Sequence, residues 1–294
     1  MILLALTPML LLQSCKSESE TKKTTVVKEV KSQIVSSISL EKQWDSPSEF
    51  TTSESVLRDS KGKYYYVSCI GNVPPTAVDG DGFISKMDLA GKVLDKNWAT
   101  GLSAPKGMGQ DAENLYVTDV ADFVVISKAT GKETARIAVE GAIFLNDVHV
   151  SPEGDVYFSD SAQNKIHKFS NGKVTIWLNS EKLGKPNGIH IKENQMYVSS
   201  GEGFVLEIDR KSKAIEQKAE GIFSGDGIEP WKDGFIISSW MGEIWFADSN
   251  WKTTKLIDSK EEKLNTADIA INQSTGQLLV PTFFDNRVMC YSIK

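Results

Sequence analysis

This chain of 294 residues has fewer basic than acidic residues. There are 33 Lys and Arg residues against 39 Asp and Glu, which gives a formal net charge of −6. The basic residues are scattered along the sequence and form no stripe. Because binding to nucleic acid requires a basic surface that neutralises phosphates, this balance argues against a nucleic-acid partner. With 40% hydrophobic and 24% charged residues, the composition is that of an ordinary globular protein.

The chain also has few cysteines: Cys15, Cys69 and Cys290. Cys15 belongs to the N-terminal segment described next. The other two lie far apart in the sequence, and an exported protein can form a disulfide bond. Two interpretations of Cys69 and Cys290 therefore stay open: a disulfide, or two buried thiols.

The N-terminal apolar stretch, residues 1–12, is too short to span a bilayer and is typical of a secretory signal. Leu12, Ser14 and Cys15 resemble the bacterial lipobox, in which cleavage leaves a lipid-carrying cysteine. We therefore predict a lipoprotein signal peptide at 1–14, a lipidated Cys15 with a disordered tether to residue 36, and anchoring to the periplasmic or surface face of the bacterial cell envelope. The alternative is an ordinary cleaved signal that contains a cysteine.

A repeat organises the rest of the chain. The segment FLNDVHVSPEGDVYFSD at 144–160 returns as KPNGIHIKENQMYVSS at 185–200 and as SGDGIEPWKDGFIISSW at 224–240. Column one, defined as the residue two places before the apolar residue that opens each first strand, contains Glu54, Lys106, Asn146, Asn187, Asp226 and Ala267. Successive members are 52, 40, 41, 39 and 41 residues apart. A period of about 40–45 residues built from short strands is typical of propeller blades.

We therefore predict an all-β fold for residues 37–294, a six-bladed β-propeller with four strands in each blade. The sixth copy ends after its third strand, whereas ISLEKQW at 38–44 precedes the first blade. We expect this N-terminal strand to complete the last blade and close the ring. Blade 1 also contains a surplus loop at 71–82, which we expect to overhang the face of the ring where column one lies.

Column one predicts a metal site. The starts of the innermost strands converge on the propeller axis, where Glu54, Asn146, Asn187 and Asp226 supply two carboxylates and two amide oxygens. Oxygen ligands suit a hard divalent cation, with Ca²⁺ the expected ion. Neither Cys nor His occurs in the column, which disfavours structural zinc. Asn and Asp before Gly are also common turn residues, but Glu54 does not fit that explanation.

The column-one motifs SES at Glu54, LND at Asn146, PNG at Asn187 and GDG at Asp226 resemble those of six-bladed propellers of the senescence marker protein (regucalcin), gluconolactonase and luciferin-regenerating enzyme family. The resemblance covers residues 38–294. It implies that these four residues bind a catalytic divalent cation and that Asp226 acts as general base or nucleophile. The family often has Arg two places before the blade-3 Asn, and this chain has Phe144.

We thus expect a metal-dependent hydrolase of a lactone or related ester, acting as a monomer on a small molecule. The expected substrate-lining residues are Lys106, Asp119, Asp160, Trp240, Phe283 and Asp285. The alternative is a non-catalytic propeller with a structural metal that binds a sugar, a peptide or a protein. His149 and His190, three residues beyond column one, are interpreted as packing between blades.

Overall fold

The computed structural model describes residues 38–294. The predicted signal peptide, Cys15 and the tether lie outside the described residues. Within 38–294 the regular structure is β, apart from a short 3₁₀ helix at Glu181–Leu183. That part of the chain contains no helix that is long and apolar enough to cross a membrane.

Six four-stranded antiparallel sheets form the blades, which confirms the predicted six-bladed propeller. In chain order the strands are β1 (Leu40–Asp45), β2 (Ser53–Arg58), β3 (Tyr65–Cys69), β4 (Gly82–Met87), β5 (Val93–Leu102), β6 (Pro105–Gln110), β7 (Asn114–Asp119), β8 (Asp122–Ser127), β9 (Glu133–Ala138), β10 (Leu145–Val150), β11 (Val156–Asp160), β12 (Lys165–Ser170), β13 (Lys173–Asn179), β14 (Pro186–Lys192), β15 (Gln195–Ser200), β16 (Phe204–Asp209), β17 (Ile215–Glu220), β18 (Gly225–Trp231), β19 (Gly234–Ser239), β20 (Glu243–Ala247), β21 (Thr253–Asp258), β22 (Ala270–Asn272), β23 (Gln277–Pro281) and β24 (Val288–Ile293). Blades 1–5 are β2–β5, β6–β9, β10–β13, β14–β17 and β18–β21.

The N-terminal strand closes the ring as predicted. Blade 6 has the strand order β1-β24-β23-β22, so its outer strand comes from the start of the described chain. Strand β1 pairs antiparallel with β24, from Leu40 opposite Ile293 to Asp45 opposite Met289. This pairing covers the edge of β24, which would otherwise present unpaired backbone groups.

Local sequence signals explain individual hairpins. The strands β12 and β13 are joined by Asn171-Gly172, and Ser170 pairs with Lys173. Both loop residues have positive φ, 51° and 75°. A two-residue turn of this type requires positive φ at both positions, which Asn and Gly adopt most readily.

The core lies between neighbouring blades. Phe123 of blade 2 and Phe158 of blade 3 stack with ring centroids 4.7 Å apart. Both are completely buried, in a cluster that also contains Leu145. Truncating such a ring to Ala typically costs about 3–5 kcal/mol. Cys69 and Cys290 are free thiols, and both are buried in the cluster that joins blades 6 and 1.

Candidate functional site

A bulge in the inner strand positions column one. In blade 3 the register of β10 against β11 shifts between Leu145 and Val148, which brackets Asn146. The inner strands of blades 1, 2, 4 and 5 show shifts at the corresponding place. Because a bulge breaks the ladder and changes the direction of its side chains, it can turn column-one residues toward the axis.

Hydroxyl groups of the second strands hold this bulge. The backbone N–H of Asp147 donates to Ser159 Oγ at 3.0 Å. That hydroxyl in turn donates to the backbone carbonyl of Asn187 in the next blade, at 2.9 Å. Ser199 donates in the same way to the carbonyl of Asp226. Each hydroxyl therefore fixes a column-one backbone across a blade boundary; Thr118 and Ser238 make the corresponding bonds to Asn146 and Ala267.

One cavity brings the predicted site residues together. Its volume is about 420 Å³, and the four predicted oxygen ligands, Glu54, Asn146, Asn187 and Asp226, all line it. Three of the six predicted substrate-lining residues also lie in its wall, namely Lys106, Trp240 and Phe283. Pro75, from the surplus loop of blade 1, is part of the wall as well, so the loop reaches the face on which column one lies.

The other three predicted lining residues do not form part of this wall. Asp119 accepts hydrogen bonds from the backbone N–H groups of Ser103 and Ala104. Asp160 accepts from the N–H groups that precede β10, and Asp285 pairs with Arg287 at 2.6 Å. That these three residues line the substrate stays a prediction. Asp119 and Asp160 each bind the backbone segment that leads into their own blade. Their carboxylates are therefore already engaged by backbone N–H groups.

Two buried oxygen atoms of the site have no hydrogen-bond partner among the described residues: Glu54 Oε2 and Asn187 Oδ1. Asn187 Nδ2 donates to Asp226 Oδ1 at 3.0 Å. Asn146 Nδ2 donates to Ser161 Oγ at 3.2 Å. Both amide nitrogens are thus engaged, and buried polar oxygens without partners are costly. The donor set of two carboxylates and two amide carbonyls fits a hard divalent cation.

Carboxylates alone do not make this a metal site. Among residues 38–294, no group of three or more His, Cys, Asp or Glu side chains could hold a metal ion. A cation bound here would therefore depend on the amide oxygens of Asn146 and Asn187 in addition to Glu54 and Asp226.

A further layer of acids lies next to column one, and these acids were not predicted from the sequence. Asp147 and Asp268 occupy the position after column one, and with Glu229 they line a second cavity of about 180 Å³. Asp147 accepts from the backbone N–H of Val148 and of Ile189, both at 2.6 Å. The alignment of the repeats could have pointed to Asp147 and Asp268. Three other blades have Gly at the same position, namely Gly107, Gly188 and Gly227, so these two acids stand out. A Cβ on Gly227 would lie only 2.5 Å from Asp268 Oδ1.

The buried acids raise one another's pKa values. Burial, followed by repulsion from Asp268, raises the pKa of Glu54 to about 8, and Lys106 opposes the rise. Burial raises the pKa of Asp226 well above its usual value, and repulsion from Glu54 and Asp268 adds to the effect. Burial raises the pKa of Asp268 itself to about 7. The three carboxyl groups therefore do not all ionise at neutral pH unless a positive charge lies beside them.

Lys106 is a buried member of column one, and its charge interacts with that of Glu54. Only 1% of its surface is exposed, and its Nζ donates to the backbone carbonyl of Ala104 at 3.1 Å. The Nζ also lies 4.5 Å from the centroid of the Phe144 ring. Burial lowers its pKa to about 8, against the opposing attraction of Glu54 and Asp119.

His149 and His190 pack against each other between blades 3 and 4. Their ring centroids are 4.9 Å apart in an edge-to-face arrangement. Burial lowers their pKa values to about 4 and about 3, respectively. Both rings are consequently neutral at physiological pH, and neither lines the column-one cavity.

Comparison with known proteins supports the architecture. No protein-family model matches this sequence, and no curated protein matches it. Among solved structures, a catalytically inactive virginiamycin B lyase from Staphylococcus aureus with quinupristin is similar, with 13% identity, a TM-score of 0.62 and coverage of 87% of this chain and 99% of that chain. A gluconolactonase from Xanthomonas campestris has 15% identity and a TM-score of 0.63, and the match covers 83% and 86% of the two chains. The extracellular domain of a hybrid two-component system from B. thetaiotaomicron has 14% identity and a TM-score of 0.55, over 82% of this chain and 33% of that one.

Likeness at such low identity shows the fold alone. The six-bladed propeller is common to a lyase, a gluconolactonase and an extracellular domain, so the architecture is compatible with several functions. The family resemblance drawn from the four column-one motifs stays a prediction.

Proposed function

We propose that this protein is a divalent-metal-dependent hydrolase of a lactone or related ester. The observation that carries the proposal is the pair of buried, unpartnered oxygens, Glu54 Oε2 and Asn187 Oδ1, in one cavity with Asn146 and Asp226. A cation held by these four side chains, with Ca²⁺ the expected ion, would polarise the substrate carbonyl and stabilise the oxyanion that develops on it.

Asp226 is the residue proposed to activate the nucleophile. Its carboxylate lines the cavity, and the amide of Asn187 orients it by donating to Oδ1. In the ionised form it accepts a proton from the attacking water, or attacks the carbonyl carbon directly. On the base route, the proton taken from water passes to the ring oxygen of the lactone as its bond to the carbonyl carbon breaks. On the nucleophilic route, the ring oxygen leaves and takes a proton from water while an acyl anhydride forms on Asp226, and a second water hydrolyses the anhydride and frees the carboxylate. Because burial and neighbouring acids favour protonated Asp226, its activity as a base depends on positive charge at the axis.

Lys106 is proposed to stabilise negative charge on the substrate. Its Nζ carries three donors, of which one is used by the carbonyl of Ala104. The ammonium group is buried in the wall of the same cavity as Asp226. In this low-polarity environment its charge acts more strongly on a bound anion than it would in water.

A screen of lactones and esters tests this function. The purified protein is assayed with Ca²⁺ and after treatment with a chelator, and the bound metal is measured in parallel. We expect lactone hydrolysis that the chelator abolishes and added Ca²⁺ restores. Absence of turnover of every lactone and ester, with the metal still bound, would contradict the enzymatic function.

Phe144 favours the second candidate function, a non-catalytic propeller with a structural metal. It lines the cavity at the position where the resembled family often has Arg. An apolar ring there removes one positive group that could bind an anionic substrate. In that case the same face would bind a sugar, a peptide or a protein without turning it over, and the screen above separates the two functions.

A further inference from the structure

The column-one cavity has one strongly aromatic wall. Trp240, directly after β19 of blade 5, and Phe283 in blade 6 line it, with ring centroids 5.4 Å apart. Phe284 continues this surface outward, since its ring lies 4.8 Å from Phe283 and 6.0 Å from Trp240. Phe284 does not line the cavity, and 56% of the residue is exposed. The three rings therefore form a path from the cavity to solvent, which we call the aromatic wall.

The backbone holds one of these rings in an uncommon conformation. Phe283 has a φ of 49°, in the left-handed region that bulky residues seldom adopt. Hydrogen bonds from its N–H to the carbonyl of Ser53, and from the N–H of Asn286 to its own carbonyl, secure this geometry. A strained residue that persists at a cavity is a reason to examine its function. Phe283 combines this conformation with a place in the cavity wall.

The rest of the cavity adds apolar surface. Ile70, Pro75 and Phe144 add to the apolar part of the wall, whereas Lys185 and Ser224 add two polar residues to those of column one. Ser161 also lines the cavity, but its hydroxyl already donates to the carbonyl of Pro186 at 2.7 Å. A sugar lactone carries a hydroxyl on most carbons, and each one loses free energy when it is buried without a partner. An apolar substituent loses none and can pack against the rings.

Given the proposed function, we propose that the preferred substrate is a lactone or ester with an aromatic or bulky apolar substituent next to the reacting carbonyl group. The reacting carbonyl lies at Glu54, Asn146, Asn187 and Asp226, and the substituent lies against Trp240 and Phe283 and emerges over Phe284. A volume of about 420 Å³ accommodates such a ligand, since cavities of about 300–1,000 Å³ hold small organic molecules. A polyhydroxylated sugar lactone is the disfavoured substrate.

The test separates binding from turnover. Hydrolysis of a phenyl-substituted γ-butyrolactone is compared with hydrolysis of glucono-δ-lactone in the Ca²⁺-loaded protein. Binding is measured by calorimetry with the corresponding phenyl-substituted γ-lactam, which is a non-hydrolysed analogue. The variants are Trp240→Leu and Phe284→Ala. The matched control is Leu94→Ala, because Leu94 is an exposed apolar residue, 54% accessible, on β5 and outside the cavity.

We expect the phenyl lactone to have the higher kcat/KM. We also expect lactam affinity to fall about 3- to 10-fold in Phe284→Ala and by at least about 10-fold in Trp240→Leu, with no change in Leu94→Ala. Equal affinity in all variants, or a higher kcat/KM for glucono-δ-lactone, would overturn the inference. Turnover of neither lactone, with lactam binding that still depends on Trp240, would contradict the proposed hydrolase function while supporting the assigned ligand class.

Discussion

Asn187 and Asp226, on the inner strands of neighbouring blades, are joined by a hydrogen bond of 3.0 Å from Nδ2 of the amide to Oδ1 of the carboxylate. Because the amide nitrogen is directed at Asp226, the carbonyl oxygen Oδ1 of Asn187 points elsewhere and stays buried without a partner among the described residues. The same bond thus orients the proposed base and leaves an amide oxygen available as a ligand.

Replacing Asp226 by Asn keeps the size of the side chain and removes its ability to accept a proton. We expect Asp226→Asn to lower kcat/KM for lactone hydrolysis by about 10³-fold, the usual contribution of a general base, while some metal binding is retained. Steady-state kinetics and metal analysis of the purified variant measure both effects. Asp233→Asn, at an exposed position of the β18–β19 hairpin, is the matched control. Full activity in Asp226→Asn would remove the role assigned to that carboxylate.

Stability without metal is expected to fall as pH rises. The pKa values of Glu54, Glu229 and Asp268 are raised to about 8, about 8 and about 7 in the folded protein. The folded state therefore holds more protons than the unfolded state above the ordinary carboxyl range, and this stabilisation is lost as pH rises through the folded-state values. We predict a Tm lower by roughly 5 °C at about pH 8.5 than at about pH 6.5 in chelator, a window above the range in which the lowered pKa values of His149 and His190 make stability depend on pH.

Calcium tests the origin of that pH dependence. Added Ca²⁺ compensates the buried negative charge, so we expect the fall in Tm at high pH to be largely removed. In Glu54→Gln one of the titrating groups is gone, and the Tm of the metal-free protein should depend less on pH. A Tm that stays flat or increases with pH in chelator would be inconsistent with the raised pKa values.

The hydroxyl of Ser199 connects blade 4 to the backbone of Asp226. In Ser199→Ala the carbonyl of Asp226 loses this buried donor, which typically costs about 1–3 kcal/mol. We expect urea denaturation to report a loss of that size, together with reduced lactone hydrolysis because the backbone of the proposed base is less restrained. Ser249→Ala, at an exposed position, is the control. If the two variants are equally stable, the hydrogen bond from the Ser199 hydroxyl to the Asp226 carbonyl does not stabilise the site.

Closure of the ring is testable by shortening the chain. A protein that begins at Ser46 lacks β1 and exposes the edge of β24. It also loses the close packing of Trp44 on Gly91, where a Cβ would lie only 2.6 Å from the indole ring. We expect its Tm to be at least about 10 °C lower than that of a protein beginning at Ile38, with aggregation through the open strand edge. Indistinguishable melting curves would show that β1 is dispensable.

The repeat was sufficient to predict the fold. The spacing of column one and the third strand at the end of the chain together predicted six blades and the N-terminal strand that completes the last one. These features depend on local strand patterns and on a fixed period, both of which are visible in a single sequence. The placement of Glu54, Asn146, Asn187 and Asp226 in one cavity followed from the same geometry.

The sequence could not reveal which acidic side chains already accept hydrogen bonds from the backbone. Asp119 and Asp160 occur at equivalent positions of their blades and resemble cavity residues, but backbone N–H groups bind their carboxylates. Conversely, Asp147 and Asp268 reach the axis because their neighbours in that layer are glycines, and this depends on contacts between blades. Such contacts join residues about 40 positions apart. A local motif therefore does not show whether an acidic side chain already has hydrogen-bond partners.

Calorimetric titration of the metal-free protein with Ca²⁺ tests the central claim most directly, namely that the four column-one side chains bind one cation. We predict a single site per chain, with affinity weakened by at least about tenfold in Glu54→Gln, where a charged ligand is lost, and unchanged in the exposed control Glu49→Gln. No binding heat in the unmodified protein, or equal affinity in Glu54→Gln, would contradict it.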